Sequence, residues 1–261
     1  EATCKISNIT VEGKVIRQWG EQGDADGQLN RPSGIAFDSN GELYVADTLN
    51  HRVQELTTDG AFVNGWGSQG SDEGQFRSPW GIAVDGNGDV YVADHKNHRV
   101  QKFTAEGELL DSWGSLGVGD GEFQSDMVLA IDSDGHIHVS DWGNNRIQVF
   151  TEDGEFIEEW PDITGPTGIH IDENEDVWVI STTLNQVLKY NKNGELQHSF
   201  GAYCCTRGGF EGGLFRPHQM AVDQDGNVYI ANYDGGYVTK FTPRPDADPS
   251  KLIGRRLILS N

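Results

Sequence analysis

No stretch of this chain approaches the roughly 18 consecutive apolar residues of a bilayer-spanning helix, and only 36% of its residues are apolar. A membrane span is not expected. Clustered cations are equally scarce: 19 Lys and Arg stand against 41 Asp and Glu, the net charge is −22, and only Arg255 and Arg256 adjoin. A phosphate backbone is held by clustered Lys and Arg that displace counterions, so nucleic acid is not an expected partner. The acids are dispersed rather than blocked, which reads as solubilising charge. Cysteine occurs only as Cys4, Cys204 and Cys205, too few for a disulfide scaffold or a zinc ribbon. A 3.6-residue apolar period is missing throughout, so helices are not expected.

Glycine is plentiful instead, at 34 residues, and it punctuates an internal repeat. Pro32-Ser33-Gly34-Ile35-Ala36-Phe37-Asp38 aligns with Pro79-Trp80-Gly81-Ile82-Ala83-Val84-Asp85 and with segments 126–132, 166–172 and 217–223. The terminal acids Asp38, Asp85, Asp132, Asp172 and Asp223 are 47, 47, 40 and 51 residues apart. After each comes a polar turn and a β-rich run, such as Leu43-Tyr44-Val45-Ala46-Asp47. Third and fourth alternating runs follow, in the first repeat Arg52 to Leu56 and Phe62 to Trp66, which predicts a four-stranded antiparallel meander per repeat. One such sheet cannot bury both its faces alone, whereas a ring of sheets buries each face on its neighbour. The repeat therefore predicts an all-β fold, a β-propeller. A single domain is expected over 1–261, with N-terminal closing strands in 1–30 and repeats at about 31–76, 77–123, 124–162, 163–215 and 216–261.

Five inner-strand motifs predict five blades, with Val15 to Trp19 closing the ring beside the last repeat. Segment 4–20 matches the hairpin 51–67 in length and ending, so the N-terminus reads as a piece of a blade. Six blades remain the alternative, with the tail Lys251 to Gly254 helping to build the extra one.

Val45-Ala46-Asp47-Thr48-Leu49-Asn50-His51-Arg52-Val53-Gln54 and Ser140-Asp141-Trp142-Gly143-Asn144-Asn145-Arg146-Ile147-Gln148 resemble NHL repeats. The resemblance runs over about residues 15 to 242 and implies an NHL-type propeller and an interaction surface. Asp47 with Arg52, Asp94 with Arg99 and Asp141 with Arg146 are placed to pair across a loop as structural ties. Segment Arg216 to Asp223 is also similar to the last repeat of peptidyl-α-hydroxyglycine amidating lyases, whose zinc is held by three histidines that each follow a proline. His218 matches one of these, whereas Ser33, Trp80, Met127 and Thr167 stand at the other counterparts. What the resemblance implies for catalysis is thus limited to His218, with Tyr233 as a phenol base and Arg216 as a cation nearby.

Two columns break the repeat where the ring face should lie. The residue after the proline column reads Ser33, Trp80, Met127, Thr167, His218, and the residue after the second strand reads Thr48, His95, Trp142, Thr182, Tyr233. This mixture predicts a site for a peptide, protein or small ligand on Trp80, His95 and Trp142. Packing of the channel by the large rings is the competing reading. His170 stands in a column that is otherwise alanine, and the insertion 202–215 brings Arg207 as a further ligand contact. His136 and His138 share one strand face, and two imidazoles there could ligate a metal. The Asp-x-Asp-Gly turns at 132–135 and 223–226 fit calcium or, as plain turn chemistry, backbone capping.

The chain opens on Glu1, shows no apolar signal stretch and carries the sequon Asn8-Ile9-Thr10, so an exported mature protein, extracellular or periplasmic and monomeric, is expected. In such a compartment Cys4 is expected to bridge Cys204 or Cys205, a closure worth about 4 to 5 kcal/mol. The other reading joins Cys204, Cys205 and His218 in a zinc or copper site. The sequence requires none of the three metals, zinc, copper or calcium. A binding propeller is the first expectation, and a lyase- or hydrolase-like enzyme with its site near His218 is the alternative.

Overall fold

A computed structural model describes residues 4–10, 12–125, 127–201, 213–232, 237–242 and 253–257, the last segment by its backbone. The fold is a β-propeller of five blades, each a four-stranded antiparallel sheet whose strands lie in sequence order. Blade one runs through Ile35–Phe37, Leu43–Asp47, Arg52–Leu56 and Phe62–Trp66. Blade two takes Pro79–Val84 to Leu109–Trp113, blade three Leu129–Ile131 to Phe156–Trp160, blade four Pro166–Ile171 to Leu196–Phe200, and blade five Pro217–Val222 to Ile253–Leu257. Among the described residues the helices are three single 3-10 turns, Thr48–Asn50, His95–Asn97 and Trp142–Asn144, each joining a second strand to a third.

The chain divides into two compact units. The first holds most of 16–159, with blades one to three, and the second most of 160–261, with blades four and five. Within the first, Tyr44, Ala46 and Ala36 of blade one pack on Ile82, Val90 and Val92 of blade two. Tyr91, Ala93 and Ala83 of blade two repeat this on Leu129, Ile137 and Val139 of blade three. Within the second unit, Trp178 and Ile180 of blade four meet Met220, Val228 and Ile230 of blade five. The second strands of blades one to four are buried along their whole length, which explains their near-continuous apolar sequence.

Blades also lock at their outer corners. Trp66 lies over Gly107 and Trp113 over Gly154, and a Cβ at either glycine would fall within 2.6 Å of the indole. Both glycines have φ near +80°, at +88° and +76°, a conformation that already favours residues without a Cβ.

The expected closure is corrected. Among the described residues Val15–Trp19 (β2) pairs only with Ile6–Ile9 (β1), as a separate two-stranded sheet. The fourth strand of blade five is Ile253–Leu257, which pairs antiparallel with Tyr237–Thr242 from Val238↔Leu257 to Thr242↔Ile253. The tail thereby completes the backbone bonding of an edge for which the N-terminal strand was expected. β1 and β2 instead cover blade one, where Cys4, Ile6, Trp19 and Leu29 pack on Leu43, Val45 and Leu56.

Candidate functional site

The loops that carry the rim are held by a buried clamp. Asp94 accepts the Nε–H of Arg99 at 3.0 Å, the amide of Asn97 at 2.7 Å and the backbone N–H of Arg77 at 2.7 Å. Gln101 bridges the same preceding loop, accepting from the N–H of Gly74 and donating to the Gln75 carbonyl. Blade one repeats the clamp through Asp47, Asn50, Arg52 and Gln54, with Asp47 to Arg52 at 2.9 Å. In blade three Asp141 and Arg146 are both buried, and Asp141 caps Asn144 and the N–H of Gln124. These carboxylates therefore serve as structural ties. Blades four and five keep the geometry without the charge, since Ser181 donates to the Thr164 carbonyl and Asn232 caps the N–H of Phe215.

On this frame the two rim columns couple within blades one, two and four. The Ser33 hydroxyl lies 2.6 Å from that of Thr48, which donates onward to the Pro79 carbonyl of blade two at 2.8 Å. Blade four does the same with Thr167 and Thr182, whose hydroxyl donates to the Pro217 carbonyl. At the corresponding position in blade two, Trp80 and His95 bring ring centroids to 6.0 Å at 50°. In blade three Met127 is fully buried, while Trp142 is 39% exposed. Sequence reasoning placed both columns at the rim but missed that they meet. The signal was present, because members of each pair are always 15 residues apart.

A second column went unread. His51, His98, Asn145 and Asn185 sit in left-handed backbone, at φ 56°, 55°, 56° and 54°. His51 Nδ1 accepts the N–H of Ser78, Asn145 Oδ1 that of Gly165, and Asn185 Oδ1 that of Arg216. Asparagine at a left-handed corner is the signal that could have found it. Burial lowers the His51 pKa, with Lys96 and Arg77 acting in the same direction against Asp94. Burial and then His95 lower that of His98.

At the opposite ends of the inner strands the acidic turns are capped internally. Asp132 accepts the N–H groups of Asp134 and His136, and its second oxygen lies 3.1 Å from both His136 Nδ1 and His138 Nε2. Burial raises the Asp132 pKa, but the bonds from His138 and His136 outweigh it and hold the group at about 2. The imidazole pair is thus engaged by a carboxylate of its own turn. Asp38, Asp85, Asp172 and Asp223 cap their turns in the same way, which is the turn-chemistry reading. Among the described residues no three His, Cys, Asp or Glu side chains converge as a metal site.

His170 lies near the turn end of its strand, across from Trp178. Burial lowers its pKa against the pull of Asp172, which favours a neutral ring. With Asn174, Asp223 and Asp225 it lines a cleft of about 860 Å³ at the turns of blades four and five. Trp80 stands at the start of its own strand. Of the expected catalytic trio, His218 is partly buried in Pro217–Val222, and Arg216 precedes it at φ 47°. Tyr233, Arg207, Cys204 and Cys205 lie outside the described residues. Cys4 is buried beside Leu29 and Leu43.

These features define a repeat propeller with a polar clamp behind each rim loop. The NHL repeat model matches residues 29–56, 76–103 and 129–150, so blades one, two and three of this β-propeller carry NHL repeats. A 37-residue stretch, 14% of the chain, is 49% identical to the B-box type zinc finger protein ncl-1 of Caenorhabditis elegans and spans 4% of that protein. Among solved structures, virginiamycin B lyase from Staphylococcus aureus is 18% identical, with a TM-score of 0.67 over 98% of this chain and 77% of that one. A gluconolactonase from Xanthomonas campestris is 18% identical, with a TM-score of 0.66 over 88% of this chain and 77% of its own. A protein of unknown function from Bacteroides caccae is 13% identical, with a TM-score of 0.70 over 98% and 90%. At these identities the likeness is one of fold.

Proposed function

We propose that the protein is a binding propeller that takes a peptide or small ligand on the loop rim of its first unit, with Trp80, His95 and Trp142 as the contact surface. One observation carries this reading. The same pair of positions closes blades one and four with hydroxyl bonds, and in blades two and three it presents aromatic rings, Trp142 being 39% exposed. Exposed aromatics above a rigid frame supply contact area at low entropic cost. Displayed-peptide selection against the whole chain tests it. Selected peptides should lose at least about tenfold in affinity on Trp80→Ala or Trp142→Ala, with the circular dichroism melt unchanged. Peptides held equally by both variants would refute the site.

A lyase- or hydrolase-like activity is the second reading. It is favoured by His218 directly after Pro217 at the start of an inner strand, on a fold shared with a lyase and a lactonase. Metal analysis of untagged protein distinguishes it: a stoichiometric transition metal lost on His218→Ala supports the enzyme. Export belongs to the same proposal, on the sequon whose Asn8 is exposed on β1.

A further inference from the structure

The turn ends of the blades, opposite the rim, are built around a repeated cation. In blade two Tyr91 of the second strand pairs across the sheet with Lys102 of the third. The Lys102 ammonium lies 5.3 Å from the centre of the Tyr91 ring and 3.2 Å from the Asp89 carboxylate. Blade four repeats this with Lys189, 4.7 Å from the Trp178 ring and 2.6 Å from Asp176. Blade five sets Lys240 5.0 Å from the ring of Tyr229, its partner in register. In blade three the imidazoles of His136 and His138 meet Asp132 instead. An aromatic face and a carboxylate together hold an ammonium in these blades.

Blade one keeps the acids and loses the cation. The counterparts of Asp89, Tyr91 and Lys102, 47 residues earlier, are Glu42, Tyr44 and Glu55, and Tyr44 pairs in register with Glu55. Two carboxylates therefore stand where blade two holds an ion pair. Glu42 Oε2 is buried and makes no hydrogen bond, although buried polar atoms are ordinarily partnered. Burial raises the Glu55 pKa, with Glu42, Asp38 and Glu106 acting in the same direction against the Tyr44 hydroxyl. Glu42 and Glu55 are both partly exposed as residues, so a small group from solvent can reach them. Among the described residues no three acids, histidines or cysteines converge as a metal site. That points to a ligand that donates hydrogen bonds rather than one that needs a shell of oxygens.

We propose that Glu42, Glu55 and the hydroxyl end of Tyr44 form a binding site for a primary ammonium group, carried by a lysine side chain of another polypeptide or by a free alkylamine. The ammonium takes the place that Lys102 and Lys189 fill in blades two and four. Its N–H groups donate to the Glu42 and Glu55 carboxylates, and its charge offsets the repulsion between them. The site goes beyond the rim reading, because none of its residues belongs to the Trp80 surface and it lies at the opposite ends of the strands.

The test titrates the whole chain, at constant pH and ionic strength, with n-butylamine and separately with an end-blocked Gly-Gly-Lys-Gly-Gly peptide. Saturable amide shifts centred on Glu42, Tyr44 and Glu55 are expected, half complete on the order of 1 mM. Neither sodium chloride nor the peptide with acetylated lysine should reproduce them. Peptide binding tighter than that of butylamine assigns the group to a lysine side chain; otherwise the source is a free amine. Glu55→Lys supplies the ammonium from within the blade. It should melt about 2 °C or more above Glu55→Gln and weaken the response to both probes at least tenfold. Glu42→Gln should weaken that response at least fivefold with unchanged circular dichroism. Absence of saturable shifts with both probes overturns the proposal, as do shifts that sodium chloride reproduces or that persist in Glu55→Lys. A Glu55→Lys melt no higher than that of Glu55→Gln would overturn it as well, since the place would then not be shaped for an ammonium.

Discussion

The carboxylate of Asp94 and the guanidinium of Arg99 meet at 3.0 Å with the acid fully buried and the base 13% exposed. The same carboxylate holds the N–H of Arg77, so one side chain ties the second strand, the third strand and the incoming loop. Removing it leaves a buried cation and an orphaned amide. Asp94→Ala should cost about 3 kcal/mol in urea unfolding. A loss near that of an exposed acid such as Glu106 would show the clamp to be idle.

The Asp132 turn has a definite acid signature. Its folded pKa, at about 2, lies below the ordinary value of 3.8, so the folded state binds protons less readily than the unfolded one. The resulting stability is present above about pH 4 and is lost as the pH falls towards 2. With screening at this partly exposed site, the loss is about 1 kcal/mol. Asp132→Asn should be less stable than the parent at pH 6, and the difference should vanish by pH 2 in denaturant titrations.

The tryptophan-over-glycine contact predicts a graded pair. Gly107 has φ +88° with Trp66 against it, whereas Gly88 has φ +92° with nothing within 4 Å. Gly88→Ala should cost about 1 kcal/mol, the price of the backbone alone. Gly107→Ala should cost about 2 kcal/mol more, because the indole must shift. Equal thermal shifts would contradict the packing argument.

His51 and His98 occupy the same left-handed corner, but only His51 uses Nδ1 as an acceptor, at 3.0 Å from Ser78 N; His98 Nδ1 is buried without a hydrogen bond. His51→Ala should lose about 1 kcal/mol, whereas His98→Asn should be neutral or stabilising, since Asn145 and Asn185 fill that corner. Protonation of His51 removes the acceptor. Its folded pKa is lowered, so this stability is present above the unfolded value of 6.5 and is lost as the pH falls below it. The melting temperature should therefore drop between pH 7.5 and 5.5, and less so in His51→Asn.

Much of this was legible in the residues. The inner strands, the Asp-to-Arg ties and the capped acidic turns follow from short-range patterns: alternation for strands, Asp and Gly for turns, and i, i+5 spacing for the ion pairs. What went unread is long-range. Nothing within Ile253-Gly254-Arg255-Arg256-Leu257 marks it as the last strand of blade five, since it does not alternate cleanly, although the Pro- and Asp-rich residues 243–250 before it signal a loop. The rim was located, yet the contact of Trp80 with His95 and the hydroxyl bridge of Ser33 to Thr48 depend on how two strand ends converge.

By itself, the sequence determined the unit of construction. Period-two alternation decides which residues face a neighbouring sheet, and glycine and aspartate decide where the chain turns, and both are local properties of the backbone. Tertiary structure alone decided which edge each terminal strand would complete and which faces would stay uncovered. Any strand can in principle bond to any free edge, so the choice rests on the summed burial and hydrogen bonding of residues far apart in the chain. Ile35 and Phe37 thus belong to an inner-strand motif in the sequence and yet stand exposed on blade one.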